Sequence, residues 1–385
     1  MKSKSIYLLL FLMYGFFVSY AQVLTIPYEE KNGWPIIKVE VEGKEYDFLF
    51  DTGAAISLFD KKYFDIKNVI REITLSDISN KETQESLVSL DRLTISGKVF
   101  NNVIGINNDN MSQQHHFMCD VKLHGIIGIH MLKNYIIEID PIGQHIKLYN
   151  HKMLDKKVFD TYTKHKYKSK DNNGRPSITA IVNGIKTQLL FDTGSTGYLA
   201  IPNIKMEKFV SNYKNKVVYS EGRRGVYGLE KTINKRIYLA NAPIKFGNLE
   251  IKEQSFILED NLLNNIGFQF IKEYHTYIDF YNKIIYLKKI DNKFYCAEEE
   301  IFKGFTLGLN DNGCFYVNSI NSDNDLLQIE DVVLKINDQE LPLSHCDIKE
   351  FFKQIERNKG VKKIRILRAN QEMDIDYTYK FKWNE

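Results

Sequence analysis

Cysteine, proline and tryptophan are all scarce in this sequence, with four, seven and two residues among 385. The cysteines (Cys119, Cys296, Cys314 and Cys346) follow neither a Cys-x-x-Cys nor a metal-site spacing, so the sequence supports no redox or metal chemistry and leaves any disulfide pairing open. The nine histidines show no ligand spacing and no nucleophile partner, and His115-His116 sits in a polar stretch, so serine or cysteine hydrolase chemistry has no support. Charge of one sign is lacking too. Fifty-two Lys+Arg against 49 Asp+Glu leave a net charge of +3, far from the strongly basic face that phosphate backbones select, so nucleic acid is excluded as a partner. Few prolines exclude Pro-rich linkers, whereas 23 Tyr and 24 Phe favour strands, because aromatic side chains suit a pleated, half-buried surface. At 43% hydrophobic and 26% charged the composition is that of a globular protein, long enough for two or three domains.

The one long apolar run is Ile6 to Val18, preceded by Lys2 and Lys4 and followed by Ser19-Tyr20-Ala21. It is shorter than a spanning helix requires, so residues 1–21 read as a signal peptide rather than a retained anchor. The expectation is an exported protein of the periplasm, cell envelope or extracellular space. Without Lys2 and Lys4 the formal charge falls from +3 to +1, which weakens any case for electrostatic membrane binding.

The chain repeats itself once. Val41-Glu42-Gly43 leads through Phe48-Leu49-Phe50 into Asp51-Thr52-Gly53-Ala54, and Val182-Asn183-Gly184 leads through Leu189-Leu190-Phe191 into Asp192-Thr193-Gly194-Ser195, at a constant offset of 141 residues. A second echo follows: Gly128 to Tyr135 ends in Ile139-Asp140, and Gly267 to Tyr274 ends in Ile278-Asp279. A repeat this long implies two homologous lobes, not a solenoid. Short strands are expected at 35–41, 45–50, 87–95 and 145–149, and again at 177–182, 187–191, 236–239 and 284–287. Between the lobes, His151 to Lys170 carries seven lysines and reads as a solvated linker and edge hairpin.

In each copy an apolar strand runs into Asp-Thr-Gly, so a carboxylate emerges at a strand end in a sharp turn. If the lobes pack about a pseudo-twofold axis, Asp51 and Asp192 meet. Two carboxylates in contact share a proton and form an acid and a base in one site, able to activate water for amide hydrolysis without a covalent intermediate or a metal. Ser195 can donate a hydroxyl to Asp192 where Ala54 cannot, which predicts Asp192 as the more acidic partner. Asp140 and Asp279 follow apolar strands and precede turns, and a structural role is expected for both.

Over residues 30–290 the sequence resembles the pepsin-like and retropepsin-like aspartic endopeptidases. The resemblance implies that Asp51 and Asp192 are catalytic, that Thr52 and Thr193 brace the two turns through reciprocal hydrogen bonds, and that Gly53, Ala54, Gly194 and Ser195 complete the turns. It also implies that Ile126-Ile127-Gly128 and Asn265-Ile266-Gly267 cross behind them, with Asn265 standing where the family pattern is apolar. Gly222 to Gly228 fits a flap over the cleft, with a first-lobe counterpart near Ser76 to Val88.

After Lys289 the pattern changes to strand-like 314–320, 332–338 and 362–367 with a helical 348–357. This stretch resembles a PDZ domain of exported bacterial proteases. Gly304-Phe305-Thr306-Leu307-Gly308 matches the carboxylate-binding loop, and 329–337 matches the Gly-Asp-x-Ile to Asn-Gly segment, with Glu330 and Asp338 in place of two glycines. Such a domain takes chain termini by strand addition and would recruit or gate substrate.

The expected architecture is therefore mainly β: two homologous six-stranded-barrel-like aspartic protease lobes related by a pseudo-twofold axis (22–150 and 175–291, joined by 151–174), then a small α+β PDZ-like domain at 299–383. The expected protein is an aspartic endopeptidase acting on peptides or proteins, without cofactor or metal, and active as a monomer because both aspartates lie in one chain. A catalytically silent two-lobed peptide-binding protein of the cell envelope is the alternative.

Overall fold

The structure is a computed structural model that describes residues 24–76, 82–109, 121–151, 154, 156–170, 174–202, 210–222, 224–225, 228–229, 232–251, 256–259, 264–290, 303–310, 312–342, 347–357, 360–380 and 382. The expected signal peptide, His115-His116, Cys119, Cys296 and Cys346 lie outside these residues. Cys314 is exposed and unpaired with another cysteine. No helix among the described residues is long and apolar enough to cross a membrane.

The fold is mainly β, and strand formation follows alternation in the sequence. In Leu24–Lys31, for example, Leu24, Ile26 and Tyr28 are buried while Thr25, Pro27 and Glu29 are exposed, the period of two that a half-buried strand needs. Six strands of the first half close a ring. Trp34–Val41 pairs with Lys44–Phe50, which runs parallel to Gly125–Ile127. That strand meets Ser57–Asp60, which pairs with Lys98–Asn108, then Glu82–Ile95, which returns to Trp34–Val41. Closure leaves no open edge in the ring.

The same pairings recur in the second half. Arg175–Val182 pairs with Ile185–Phe191, then Asn265–Ile266, Leu199–Pro202, Phe256–Glu259 and Ile233–Leu239. The chain bends after Leu239, and Ile244–Phe246 returns to Arg175–Val182. Both halves turn their first hairpin identically. Glu42-Gly43 and Asn183-Gly184 take positive φ at both positions (51° and 75°, 47° and 80°), the backbone of a type I′ turn that matches strand twist.

A six-stranded sheet joins the halves in the order Leu24–Lys31, His145–Asn150, Tyr135–Asp140, Tyr274–Asp279, Ile284–Lys289, Thr163–Lys170. The central pair sets Ile137 opposite Ile278 and Glu138 opposite Tyr277. One apolar core runs through both rings and this sheet, with Phe48, Phe50, Phe59, Phe191, Phe246, Phe268 and Phe270 fully enclosed. Truncating any of these rings to Ala would cost about 3–5 kcal/mol.

The lysine-rich segment contains the expected edge hairpin, but its second half is a strand with a buried face rather than a solvated linker. Thr163–Lys170 is the counterpart of Leu24–Lys31: it closes the joining sheet against Ile284–Lys289 and pairs with Arg175–Val182. His165 and Tyr167 point inward between exposed Lys164, Lys166 and Lys168, and the outward lysines protect a sheet edge from further pairing.

The C-terminal unit has its own core, including Phe305, Val317, Ile336, Phe352, Ile355, Ile364 and Ile366. Its strands Phe305–Leu309, Phe315–Asn321, Val332–Ile336, Lys363–Arg368 and Gln371–Asp376 pair in that order, with the helix Ile348–Arg357 packed on them. The unit is also sewn to the second ring. Val218, Tyr219 and Ser220 pair with Asn321, Ile320 and Ser319. Lys216, fully buried, meets Asp323 at 2.5 Å and the Lys382 carbonyl at 2.9 Å, and Tyr316 donates to Glu221.

Candidate active site

The two Asp-Thr-Gly turns are built alike. Strand Lys44–Phe50 lies parallel to Gly125–Ile127, and the Asp51 N–H donates to the Ile127 carbonyl at 3.1 Å. Strand Ile185–Phe191 lies parallel to Asn265–Ile266, and the Asp192 N–H donates to the Ile266 carbonyl at 3.0 Å. Behind each turn a glycine lets the crossing strand approach. The Gly128 N–H donates to Ser57 Oγ and the Gly267 N–H to the Tyr198 carbonyl, with no room for a Cβ at either glycine.

Thr52 and Thr193, both wholly buried, lock the turns together. The Thr52 hydroxyl donates to the Phe191 carbonyl (2.7 Å) and accepts from the Thr193 N–H (3.1 Å), while the Thr193 hydroxyl donates to the Phe50 carbonyl (2.6 Å) and accepts from the Thr52 N–H (3.0 Å). Four bonds therefore cross the axis between the halves.

This brace sets Asp51 and Asp192 facing each other, near enough for the charge of one to act on the other. Gly53 lies against the Asp192 carboxyl and Gly194 against the Asp51 carboxyl, each so close that a Cβ would collide with it. Glycine is thus dictated at both positions by the opposite aspartate. Asp51 Oδ1 accepts the N–H groups of Gly53 (2.7 Å) and Ala54 (2.9 Å), and Asp192 Oδ1 accepts that of Gly194 (2.9 Å). Burial, and then the charge of Asp192, hold the Asp51 carboxyl well above the usual carboxylate range. Burial also raises Asp192, against hydrogen bonds led by that of Asn265. The pair can keep one proton at pH values where an isolated aspartic acid has lost it, which makes it an acid and a base in one place.

Residues 37–130 match the aspartyl protease family. The aspartyl protease match spans the first ring, Asp51-Thr52-Gly53 and Gly128, and ends before the second Asp-Thr-Gly turn. No curated protein matches the chain in sequence.

Beside the aspartyl protease motif, Asn265, visible in the sequence only as a departure from the apolar pattern, contacts the pair, and two residues that the doubled motif did not reveal, Trp34 and Arg175, enter the site. Asn265, on the strand behind the second turn, donates its side-chain amide to Asp192 Oδ2 at 3.3 Å. The Trp34 indole N–H donates to the Gly194 carbonyl at 2.8 Å, and Arg175 Nη1 reaches the Gly53 carbonyl at 3.5 Å. Trp34 and Arg175 stand 141 residues apart, each directly before a proline, so extending the repeat back by one residue from Pro35 and Pro176 finds them.

Ser195 differs from expectation. Its hydroxyl accepts from the Gly197 N–H at 3.4 Å, and it is the Ser195 backbone N–H that faces Asp192. The side-chain donor to Asp192 is Asn265, because the crossing strand lies directly beside the carboxyl while the Ser195 side chain turns along the loop.

Other candidates lie elsewhere. Asp140 Oδ1 accepts the N–H groups of Ile142 and Gly143, and Asp279 holds the backbone and side chain of Asn282, so both close turns. Val69–Ser76 and Glu82–Ile95 form the first-half hairpin, and Asn215–Glu221 with Ile233–Leu239 its counterpart; Arg224–Gly225 pairs with Gly228–Leu229 at the tip, where residues 223, 226 and 227 are outside the described set. In the C-terminal unit, Phe305 to Gly308 form part of a strand, with Gly304 at φ 82° before it. Glu138, Asp140 and His145 bring ligand atoms within 4.8 Å of one another on the joining sheet, but Glu138 already serves Lys147 and Tyr149 and Asp140 serves its turn.

Proposed function

We propose that this protein is an exported aspartic endopeptidase in which Asp51 and Asp192 hydrolyse peptide bonds through a water held between them. The observation that carries the reading is two half-buried carboxyls facing each other across twinned Asp-Thr-Gly turns, each packed against the glycine of the opposite turn. The ionised carboxylate takes a proton from the water as it attacks, and the protonated partner donates to the carbonyl oxygen. The carboxyl that took the water proton then passes it to the leaving amine as the C–N bond breaks, and a hydroxyl of the tetrahedral diol returns its proton to the other carboxylate, so the pair again carries one proton. No covalent intermediate forms. Both aspartates belong to one chain, so a monomer carries the complete pair.

In this reading the two rings are homologous protease lobes and the C-terminal unit is a PDZ-like domain. Its strand and helix order supports this, as do Glu330 and Asp338: they take φ of 76° and 59° at the two positions where the PDZ pattern has glycine. Phe305–Leu309 pairs with one neighbour among the described residues, so a peptide terminus would add along its other edge. Gating is favoured by Phe315–Asn321, which pairs with that strand and with the second-lobe hairpin. Export rests on residues 1–21.

The test is cleavage of a mixed peptide library by residues 22–385 from about pH 3 to 8, beside Asp51→Asn and Asp192→Asn. Loss of cleavage in both variants supports the reading. A folded wild type that binds peptides but cleaves none, alone or with a terminus bound at the PDZ-like domain, would replace it with a silent peptide-binding protein.

A further inference from the structure

The threonines and glycines that hold the aspartate pair match across the axis, but one side-chain donor to a carboxyl stands unanswered. Thr52 answers Thr193, Gly53 answers Gly194, and Gly128 answers Gly267. Asn265, however, answers Ile126: in register, Asn265 lies beside Leu190 as Ile126 lies beside Leu49. Asn265 is 6% exposed and its side-chain amide lies 3.3 Å from Asp192 Oδ2, the oxygen that the turn N–H of Gly194 leaves open. Ile126 offers Asp51 no donor at all.

We infer that Asn265 is a positioning residue that makes Asp192 the ionised member of the pair and keeps the shared proton on Asp51. The inference rests on the proposed catalytic role of the pair and deepens it by assigning base and acid. A carboxamide N–H beside a carboxylate oxygen forms a charge-assisted bond that a protonated carboxyl oxygen accepts less well, so the donor favours charge on the side where it stands. The opposing elements present Gly53 and Ala54 N–H groups to Asp51, Gly194 and Ser195 N–H groups to Asp192, and the Arg175 guanidinium at the Gly53 carbonyl. All of these are unchanged in the variants below. In catalysis Asp192 is then the base toward water and Asp51 the donor to the carbonyl.

The decisive variant is Asn265→Ile, which gives both sides the same residue. The readouts are the carboxyl titration of protein carrying 13C-labelled aspartate, and the pH profile of kcat/KM. The lower of the two apparent pKa values of the pair should rise by about one unit, carrying the acidic limb of the profile with it, while kcat falls more than KM rises. The exchange variant Asn265→Ile with Ile126→Asn should return the lower value toward wild type, with the first proton now lost from Asp51. If Asn265→Ile does not fold, Asn265→Ala and Asn265→Ser replace it; they differ by one hydroxyl, and the serine variant should titrate below the alanine one. An unmoved titration in a folded Asn265→Ile protein, or in alanine relative to serine, overturns the inference and leaves the pair itself standing. The pair fails separately if Asp51→Asn and Asp192→Asn alter neither the titration of the remaining aspartate nor cleavage.

Discussion

Replacing Thr52 by Val keeps shape and volume but deletes one hydroxyl at the axis. Two bonds go with it: the donation to Phe191 O at 2.7 Å and the acceptance from Thr193 N–H at 3.1 Å. Thr52 and Thr193 are both 0% exposed, so no solvent replaces what is lost, and a buried carbonyl and a buried N–H are left unpaired. Each orphaned group costs about 1–3 kcal/mol, giving roughly 2–6 kcal/mol for the variant. Thr52→Ser keeps both bonds, deletes one methyl, and should cost about 1 kcal/mol. The same arithmetic applies to Thr193→Val, which removes the other two bonds. Because each hydroxyl is donor and acceptor at once, the double variant should depart from additivity by about 0.5–3 kcal/mol. Urea denaturation of the wild type and the four variants, read through the transition of the two rings, measures all of this, and peptide cleavage provides the second assay. A loosened brace lets the carboxyls separate, so kcat should fall further than KM rises. A Thr52→Val protein within about 0.5 kcal/mol of wild type would refute the claim that these bonds hold the halves in register.

Two buried groups on the joining sheet should set the acid limit of stability. Burial lowers His165 from 6.5 to about 4, so its contribution is complete above pH 6.5 and is lost as the pH falls toward 4; that is roughly 3 kcal/mol, and His165→Gln should flatten the urea midpoint across that window. Glu138 is pushed up by burial but brought down further, to about 2, by hydrogen bonds from His275, Tyr149 and Lys147. Its contribution is therefore present above pH 4.5 and lost as the pH falls toward 2, a loss that Glu138→Gln should abolish. Asp323→Asn removes the carboxylate that meets the buried Lys216 ammonium, at about 1–3 kcal/mol because Asp323 is itself partly exposed, and should raise amide hydrogen exchange in Asn215–Glu221 before it touches the first ring. Trp34→Phe removes the N–H bond to Gly194 O and should cost about 1 kcal/mol in urea denaturation, with a larger loss in kcat than in KM.

How much of this was legible in the sequence depends on whether the feature repeats. Asp-Thr-Gly at a fixed offset points directly to two turns that face one another, because a duplicated unit packs on itself about an axis and equivalent positions meet there. The hairpins at Glu42-Gly43 and Asn183-Gly184, and the helix Ile348–Arg357, are legible for local reasons: turn chemistry and periodicity carry them. The strand Thr163–Lys170 was hidden by composition. Its lysines suggest a solvated linker and edge hairpin, and the hairpin is there, but the buried face shows only when the lysines are seen to alternate with His165 and Tyr167, which a count of charges does not reveal. Docking of Phe315–Asn321 on Asn215–Glu221 leaves no periodic trace, since backbone pairing between edges is nearly independent of side-chain identity.

Asn265 belongs to the last kind of feature, the single departure within a repeat. Measured against its counterpart Ile126 it is a polar residue on an apolar strand, and a buried side-chain amide is expensive unless it finds a partner. Its partner is the half-buried carboxyl of Asp192, so the buried amide is satisfied by an acceptor at the site itself. Perfect symmetry at the axis would place the shared proton on either aspartate equally. A reaction that needs one acid and one base benefits from a fixed assignment, and the least disruptive way to break the tie is a change behind one turn that leaves the four-bond threonine brace untouched. The asymmetry of Asn265 against Ile126 has that form: the inferred preference is set by one side-chain amide on the strand behind the second turn.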